Sequence, residues 1–116
     1  MMKHFKHESA TVVPGPGYLK RVLIDESSLG IPGSYIQEVE FRKGDVVRQH
    51  HHRFQKEIFY ALDEAQFMIN GQKVTMDPGD ILVCEPGDVH GNPMIPYDFR
   101  ILALKVNYRE NDIVWE

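Results

Sequence analysis

A single cysteine, Cys84, occurs in the chain. A lone thiol excludes an internal disulfide framework and a thiolate-rich structural zinc site. Basic residues are not in excess either: 13 Lys and Arg stand against 17 Asp and Glu, for a net charge of −4. A sequence-independent nucleic-acid binder needs a basic face. No nucleic-acid partner is therefore expected, although a local basic pocket for an acidic small molecule stays open. No apolar run approaches the ~20 residues of a membrane-spanning helix, and Met1 to Glu8 lack the apolar stretch of a secretory signal. No membrane partner is expected, and the cytoplasm is the expected compartment. No segment sustains a helical period, and without a helix-turn-helix candidate a sensor fused to its own DNA-binding domain is excluded.

What the chain does have is punctuation. Its 116 residues are enough for one domain. Val12-Val13-Pro14-Gly15-Pro16-Gly17 cannot continue a helix or a central strand, so residues 1–17 are expected to be an N-terminal arm, free to lie along an edge strand. The body is expected over residues 18–106 and a polar tail over 107–116, in which Ile113-Val114-Trp115 is apolar enough to dock as a short strand. Tyr35 to Phe41 alternates, with Tyr35, Val39 and Phe41 on one face and Glu38 and Glu40 on the other. Asn70-Gly71 is the strongest hairpin signal, because both residues tolerate the positive φ of a tight primed turn. Asp77-Pro78-Gly79-Asp80 and Glu85-Pro86-Gly87-Asp88 are further turns. Short strands between such turns every eight to twelve residues or so indicate an all-β sandwich or barrel.

The chemistry concentrates in Gly44 to Glu57, which holds His50, His51 and His52 side by side. On a strand, successive side chains alternate between faces, so His50 and His52 point one way and His51 the other. Two imidazoles on one face with a nearby carboxylate make a nest for a divalent metal. The plainer alternative is a polar strand end with solvated histidines. His4 and His7, near the N-terminus, read as solvated.

The spacing Gly44, five residues, His50, one residue, His52, four residues, Glu57 resembles the first motif of the cupin superfamily, G-(X)5-H-X-H-(X)3,4-E-(X)6-G. Gly79, Gly87 and His90 fall in register with the second, G-(X)5-P-X-G-(X)2-H-(X)3-N. The resemblance spans roughly Tyr35 to Val106. Glu64, Glu85 and Met94 depart from the pattern at turn positions and at no ligand position. The resemblance implies a jelly-roll β-barrel of two antiparallel sheets. It also implies a divalent transition metal (Mn, Fe, Ni, Co, Cu or Zn) on His50, His52, Glu57 and His90, and a homodimer. The implied partner is a small-molecule substrate or ligand. Two functions follow as expectations. One is a metal-dependent enzyme of dioxygenase, decarboxylase or isomerase type acting on a small oxygen-rich substrate. The other is a non-enzymatic sensor or sequestering protein.

Alternation places Phe59 and Ala61 on the face of Glu57, so Phe59 is a pocket-wall candidate. Arg48 shares a face with His50 if its strand is regular, and Arg100 shares one with Leu102 and Leu104. Both are candidates to meet an anionic substrate. Tyr35 and Gln37 are similar possibilities. Glu85 and Asp88 could act as acid or base, or simply as exposed turn residues. Cys84 reads as a small apolar filler.

Overall fold

The computed structural model describes residues 1–116. Its strands are β1 (Thr11–Gly15), β2 (Tyr18–Ile24), β3 (Tyr35–Phe41), β4 (Val47–His52), β5 (Lys56–Ala61), β6 (Ala65–Ile69), β7 (Gln72–Met76), β8 (Ile81–Cys84), β9 (His90–Asn92), β10 (Phe99–Val106) and β11 (Ile113–Trp115). Helical structure is limited to a 3-10 turn at His7–Ser9 and to α1 (Glu26–Leu29). No helix is long and apolar enough to cross a membrane.

The strands form two antiparallel sheets, ordered β1-β2-β3-β10-β5-β8 and β11-β4-β9-β6-β7. This is a jelly-roll sandwich. The barrel expected from the sequence does not close, because no strand pairing joins one sheet to the other. Thr11–Gly15, within the expected arm, pairs along β2 as an edge strand. The edge is where Pro14 is tolerated, since a proline has no N–H to give a neighbouring strand. Ile113–Trp115 docks on β4, with Trp115 opposite His50.

Period-two patterning decides which face is inside. In β10, Phe99, Ile101 and Ala103 are buried while Arg100 is exposed. In β3, Gln37, Val39 and Phe41 face the interior with them, as the pairing of β3 with β10 requires. Glu38, on the outer face, is nonetheless covered, because His7 Nε2 lies 2.8 Å from its carboxylate. The β6–β7 hairpin turns at Asn70 (φ 50°) and Gly71 (φ 78°), two positive φ values in succession as a primed turn needs.

Four phenylalanines from both sheets make the core. Phe41 stacks on Phe99 at 4.8 Å and Phe59 on Phe67 at 5.1 Å, and Phe67 meets Phe41 and Phe99 edge-on. Such pairs add to the area they bury and hold the sheets at a set separation. The side of this core nearer His90 (6.1 Å from the Phe59 ring) forms the floor of a cavity between the sheets.

Candidate metal centre

β4 carries His50 and His52, β5 carries Glu57 and β9 carries His90. β9 pairs with β4 so that His50 and His90 stand opposite one another. The ligand atoms of the four residues all lie within 4.8 Å of one another. Donors ~2.1 Å from a common ion are separated by roughly 3 to 4 Å, so the widest pair must close by about 1 Å, within reach of side-chain rotation. Two imidazoles are already oriented for this. Nδ1–H of His50 donates to the Arg48 carbonyl at 2.7 Å, and Nδ1–H of His90 donates to the Asp88 carbonyl at 2.9 Å. Those bonds leave each Nε2 unprotonated, the tautomer a metal ligand requires.

The buried Nε2 atoms of His52 and His90 have no hydrogen-bond partner. Glu57 Oε1 is only 2.7 Å from the first and 3.6 Å from the second, but not in hydrogen-bonding geometry. Their lone pairs meet in a common space instead of at each other. Two orphaned buried imidazole nitrogens, gathered with His50 and the Glu57 carboxylate, suit a divalent metal. The electrostatics agree. Burial drives His50 down to about 4, assisted by the neighbouring histidines against the Arg48 carbonyl, so its ring is neutral. Burial alone would raise Glu57, but His52 and His90 outweigh it and hold the carboxylate well below its usual range. His90 runs the other way: burial opposes its charged form, but Glu57 overcomes it and His90 is raised, so a divalent ion competes with a proton at that ring.

The cluster lies on the wall of a cavity of about 160 Å³ floored by Phe41, Phe59, Phe67 and Ile101. Against this geometry, the profile of the cupin domain family matches residues 37–93, a span holding all four clustered residues.

The chain belongs to the cupin superfamily. Similar solved structures have the same fold. A predicted oxalate decarboxylase from Thermotoga maritima is 19% identical, with a TM-score of 0.76 over 90% of this chain and 98% of its own. KdgF from Halomonas sp. is 21% identical, with a TM-score of 0.76 over 96% of this chain and 98% of its own. The polyketide cyclase RemF from Streptomyces resistomycificus is 24% identical, with a TM-score of 0.77 over 95% and 82%. No curated protein matches the chain by sequence.

In this cupin Phe59 lines the cavity and also belongs to the core. The two arginines expected at the pocket stand elsewhere. Val47 pairs with Asn92 and His50 with His90, three steps along β4 against two along β9. This bulge inserts one residue and breaks the alternation. Val47, His50 and His52 all reach the cavity, and Arg48 is turned out. Its guanidinium lies 5.5 Å from the Trp115 ring, and its Nε donates to the Glu116 carbonyl. Opposite the bulge, a Cβ on Gly91 would come within 2.7 Å of the Val47 carbonyl, so only glycine fits. Arg100 does share a face with Leu102 and Leu104, but that face is the outer one, and Arg100 pairs there with Asp63 at 3.1 Å.

His51 points away from the cluster, its Nδ1 2.7 Å from Glu116 Oε1. Gln37 lines the cavity, whereas the Tyr35 hydroxyl donates to Glu26 at 3.1 Å. Glu85 is an exposed turn residue and Asp88 a half-buried one, with Asp88 accepting from the Glu85 N–H and from Asn70. Cys84 is buried, and its thiol is pushed up to about 12 by burial, then by Glu57 and Asp88, so it stays protonated filler.

Sequence reading missed four groups. Tyr18 and Lys20 of β2 and Lys105 of β10 line the cavity. Their placement follows from the register: Lys20 pairs with Val39 and Lys105 with Glu57, both of which line the cavity. Asp112, in the polar tail, is 3% exposed, and its carboxylate lies 3.9 Å from His52 Nδ1.

Proposed function

We propose that this cupin is a metal-dependent enzyme for a small oxygen-rich substrate, of lyase or isomerase type. The observation that carries this reading is four convergent ligand atoms on the wall of a cavity that also holds a protonated phenol, Tyr18. A divalent ion on His50, His52, Glu57 and His90 would supply Lewis acidity toward a substrate oxygen. Burial raises the pKa of Tyr18, and the charge of Glu57 raises it further. The phenol therefore keeps its proton at neutral pH and can donate it to a substrate oxygen. The phenylalanine floor excludes water from the bound ligand. The size of the cavity limits that ligand, since an engineered apolar cavity of about 150 Å³ takes up benzene. Something the size of one ring fits. The predicted oxalate decarboxylase and the cyclase among the similar folds, together with a nucleoside dehydratase of 14% identity and TM-score 0.74, support bond-breaking and ring-forming chemistry on this scaffold.

The test is metal content of the untagged protein, followed by turnover of keto acids, diols and phenols with and without dioxygen. Metal with oxygen-independent turnover supports the reading. Obligatory oxygen uptake makes the protein a dioxygenase, and metal with tight ligand retention but no turnover makes it a binding protein. Tyr18→Phe is expected to lower kcat about 10²-fold or more while metal content stays at the wild-type level. An unchanged kcat removes Tyr18 from the chemistry.

A homodimer fits the outer face of β10, β5 and β8. Leu102, Tyr60 and Ile81 stand in one row across that face, and Leu104, Ile58 and Val83 in the next. Ile81 is 62% exposed and Val83 43%. A contiguous apolar patch of this kind calls for cover. Light scattering after gel filtration should give twice the chain mass for the wild type and one chain mass for Ile81→Lys. A monomeric wild type sinks this assembly.

A further inference from the structure

Lys20 and Lys105 are half-buried and face the cavity from neighbouring parts of one sheet. Lys105 feels the attraction of the Glu57 charge and, more weakly, the repulsion of Lys20. Neither ammonium reaches a carboxylate within 4.0 Å: the ion pairs of the molecule all involve other residues. The carboxylate opposite Lys105 in register is Glu57, but its oxygen is turned toward His52 and His90. Lys105 rests instead against the rings of Tyr108 and Tyr35, at 5.0 and 6.0 Å. These contacts hold the chain in place and add cation–π attraction without neutralising the charge. Burial lowers the pKa of Lys105, as expected of a desolvated ammonium.

Two like charges on one cavity wall, neither in an ion pair, repel each other and are incompletely solvated, an arrangement relieved by an anion in the cavity. With a divalent ion on the cluster, the cavity would hold that ion and two ammonium groups against a single carboxylate. The field inside would be strongly positive although the chain as a whole carries −4.

We propose that Lys20 and Lys105 form an anion-binding wall, so that the ligand of this cavity is a small carboxylate-bearing molecule with a second oxygen donor for the His50, His52, Glu57 and His90 cluster. The carboxylate half of this assignment stands on the lysines alone. The second donor rests on the metal-centred reading above. A neutral diol or phenol of similar size would satisfy the cluster but leave the ammonium pair uncompensated.

The experiment is calorimetric titration of Mn²⁺-loaded protein with succinate and with the neutral isostere succinamide, on wild type, Lys20→Met, Lys105→Met and Lys105→Arg. Mn²⁺ affinity is measured separately on each. The wild type is expected to prefer succinate, and each Met variant to lose about tenfold or more in succinate affinity, as for a charge-assisted hydrogen bond. Succinamide and Mn²⁺ affinities should not move, and Lys105→Arg should retain the preference. Equal binding of the two probes by wild type, or a preference that survives both Met substitutions, overturns the wall and leaves the metal reading standing. If the wild type holds no divalent ion, the metal reading fails, and the same titration of metal-free protein decides the inference. Lysine-dependent succinate binding then upholds it, and no such binding overturns it.

Discussion

His52→Ala is expected to abolish retention of a divalent ion, while His51→Ala leaves retention intact. The two residues are adjacent, equally polar and both on β4, so composition and local charge cannot separate them. Orientation does. His52 Nε2 is a buried orphan beside Glu57, and His51 reaches out to Glu116. Deleting one of four ligands should weaken binding by at least the ~100-fold that even an outer partner of a ligand can cost. Metal content after dialysis, by elemental analysis, reads this directly. A second reading comes from thermal melts. An ion at 100 times its Kd stabilises by about 2.7 kcal/mol, roughly a 10 °C rise in Tm for a chain of this size. Wild type and His51→Ala should show that rise and lose it to a chelator; His52→Ala should not show it. Equal behaviour of the two variants would contradict the alternation on which the site is built.

Asp112→Ala should cost about 3 kcal/mol or more, lowering Tm by ~10 °C or beyond even without metal. The Asp112 carboxylate accepts three consecutive backbone N–H groups, from Arg53 and Phe54 at Oδ1 (3.0 and 2.8 Å) and from Gln55 at Oδ2 (2.9 Å). Those residues are the whole connection between His52 and β5, which begins one residue before Glu57. Removing the carboxylate strands the N–H groups of Phe54 and of the buried Gln55, while the Arg53 N–H keeps the Asp112 main-chain carbonyl at 3.1 Å, and an unsatisfied buried donor costs about 1–3 kcal/mol. The connection then loses its shape, and with it the spacing of His52 from Glu57. Metal affinity should fall together with Tm. Chemical and thermal melts of the metal-free protein check the first effect and metal titration the second. A variant as stable as wild type would show that solvent already satisfies the Phe54 and Gln55 amides.

Both experiments bear on how far the residues alone could be read. His50 and His52 were legible as a pair because they are two apart on one strand, and their sharing a face needs only a local period. Gly79, Gly87 and His90 were legible through their spacing. The turns were legible as well, since Asn70-Gly71 meets a backbone demand that few other residues can meet. Arg48 failed for an equally local reason. The bulge against β9 adds one residue between Val47 and His50, and a single insertion reverses the parity of everything before it. Nothing in Val46 to His52 announces that insertion. It is set by the partner strand, where Gly91 allows the backbones to close.

For Arg100 the face was read correctly and its meaning was not, because alternation tells which residues travel together and not which side is the interior. Leu102 and Leu104 suggested an inner face. They stand instead on the outer surface of the sheet, in the apolar patch with Tyr60 and Ile81. Lys20 and Lys105 were passed over for the converse reason: a lysine on a strand is ordinarily a solvated residue, and only the pairing of β2 and β10 with β3 turns these two inward.

The amino-acid sequence by itself determined the strands, the turns between them, the facing of His50 and His52 and the spacing that marks a cupin, because each depends on residues close along the chain. Tertiary structure alone decided that the four ligand atoms meet within 4.8 Å, that two lysines line the same cavity, and that Asp112 holds the loop at Arg53 to Gln55 from 57 to 59 positions away. Those outcomes depend on which strands pair and in which register. Pairing is chosen by burial of the whole core, a property that no short stretch of sequence carries.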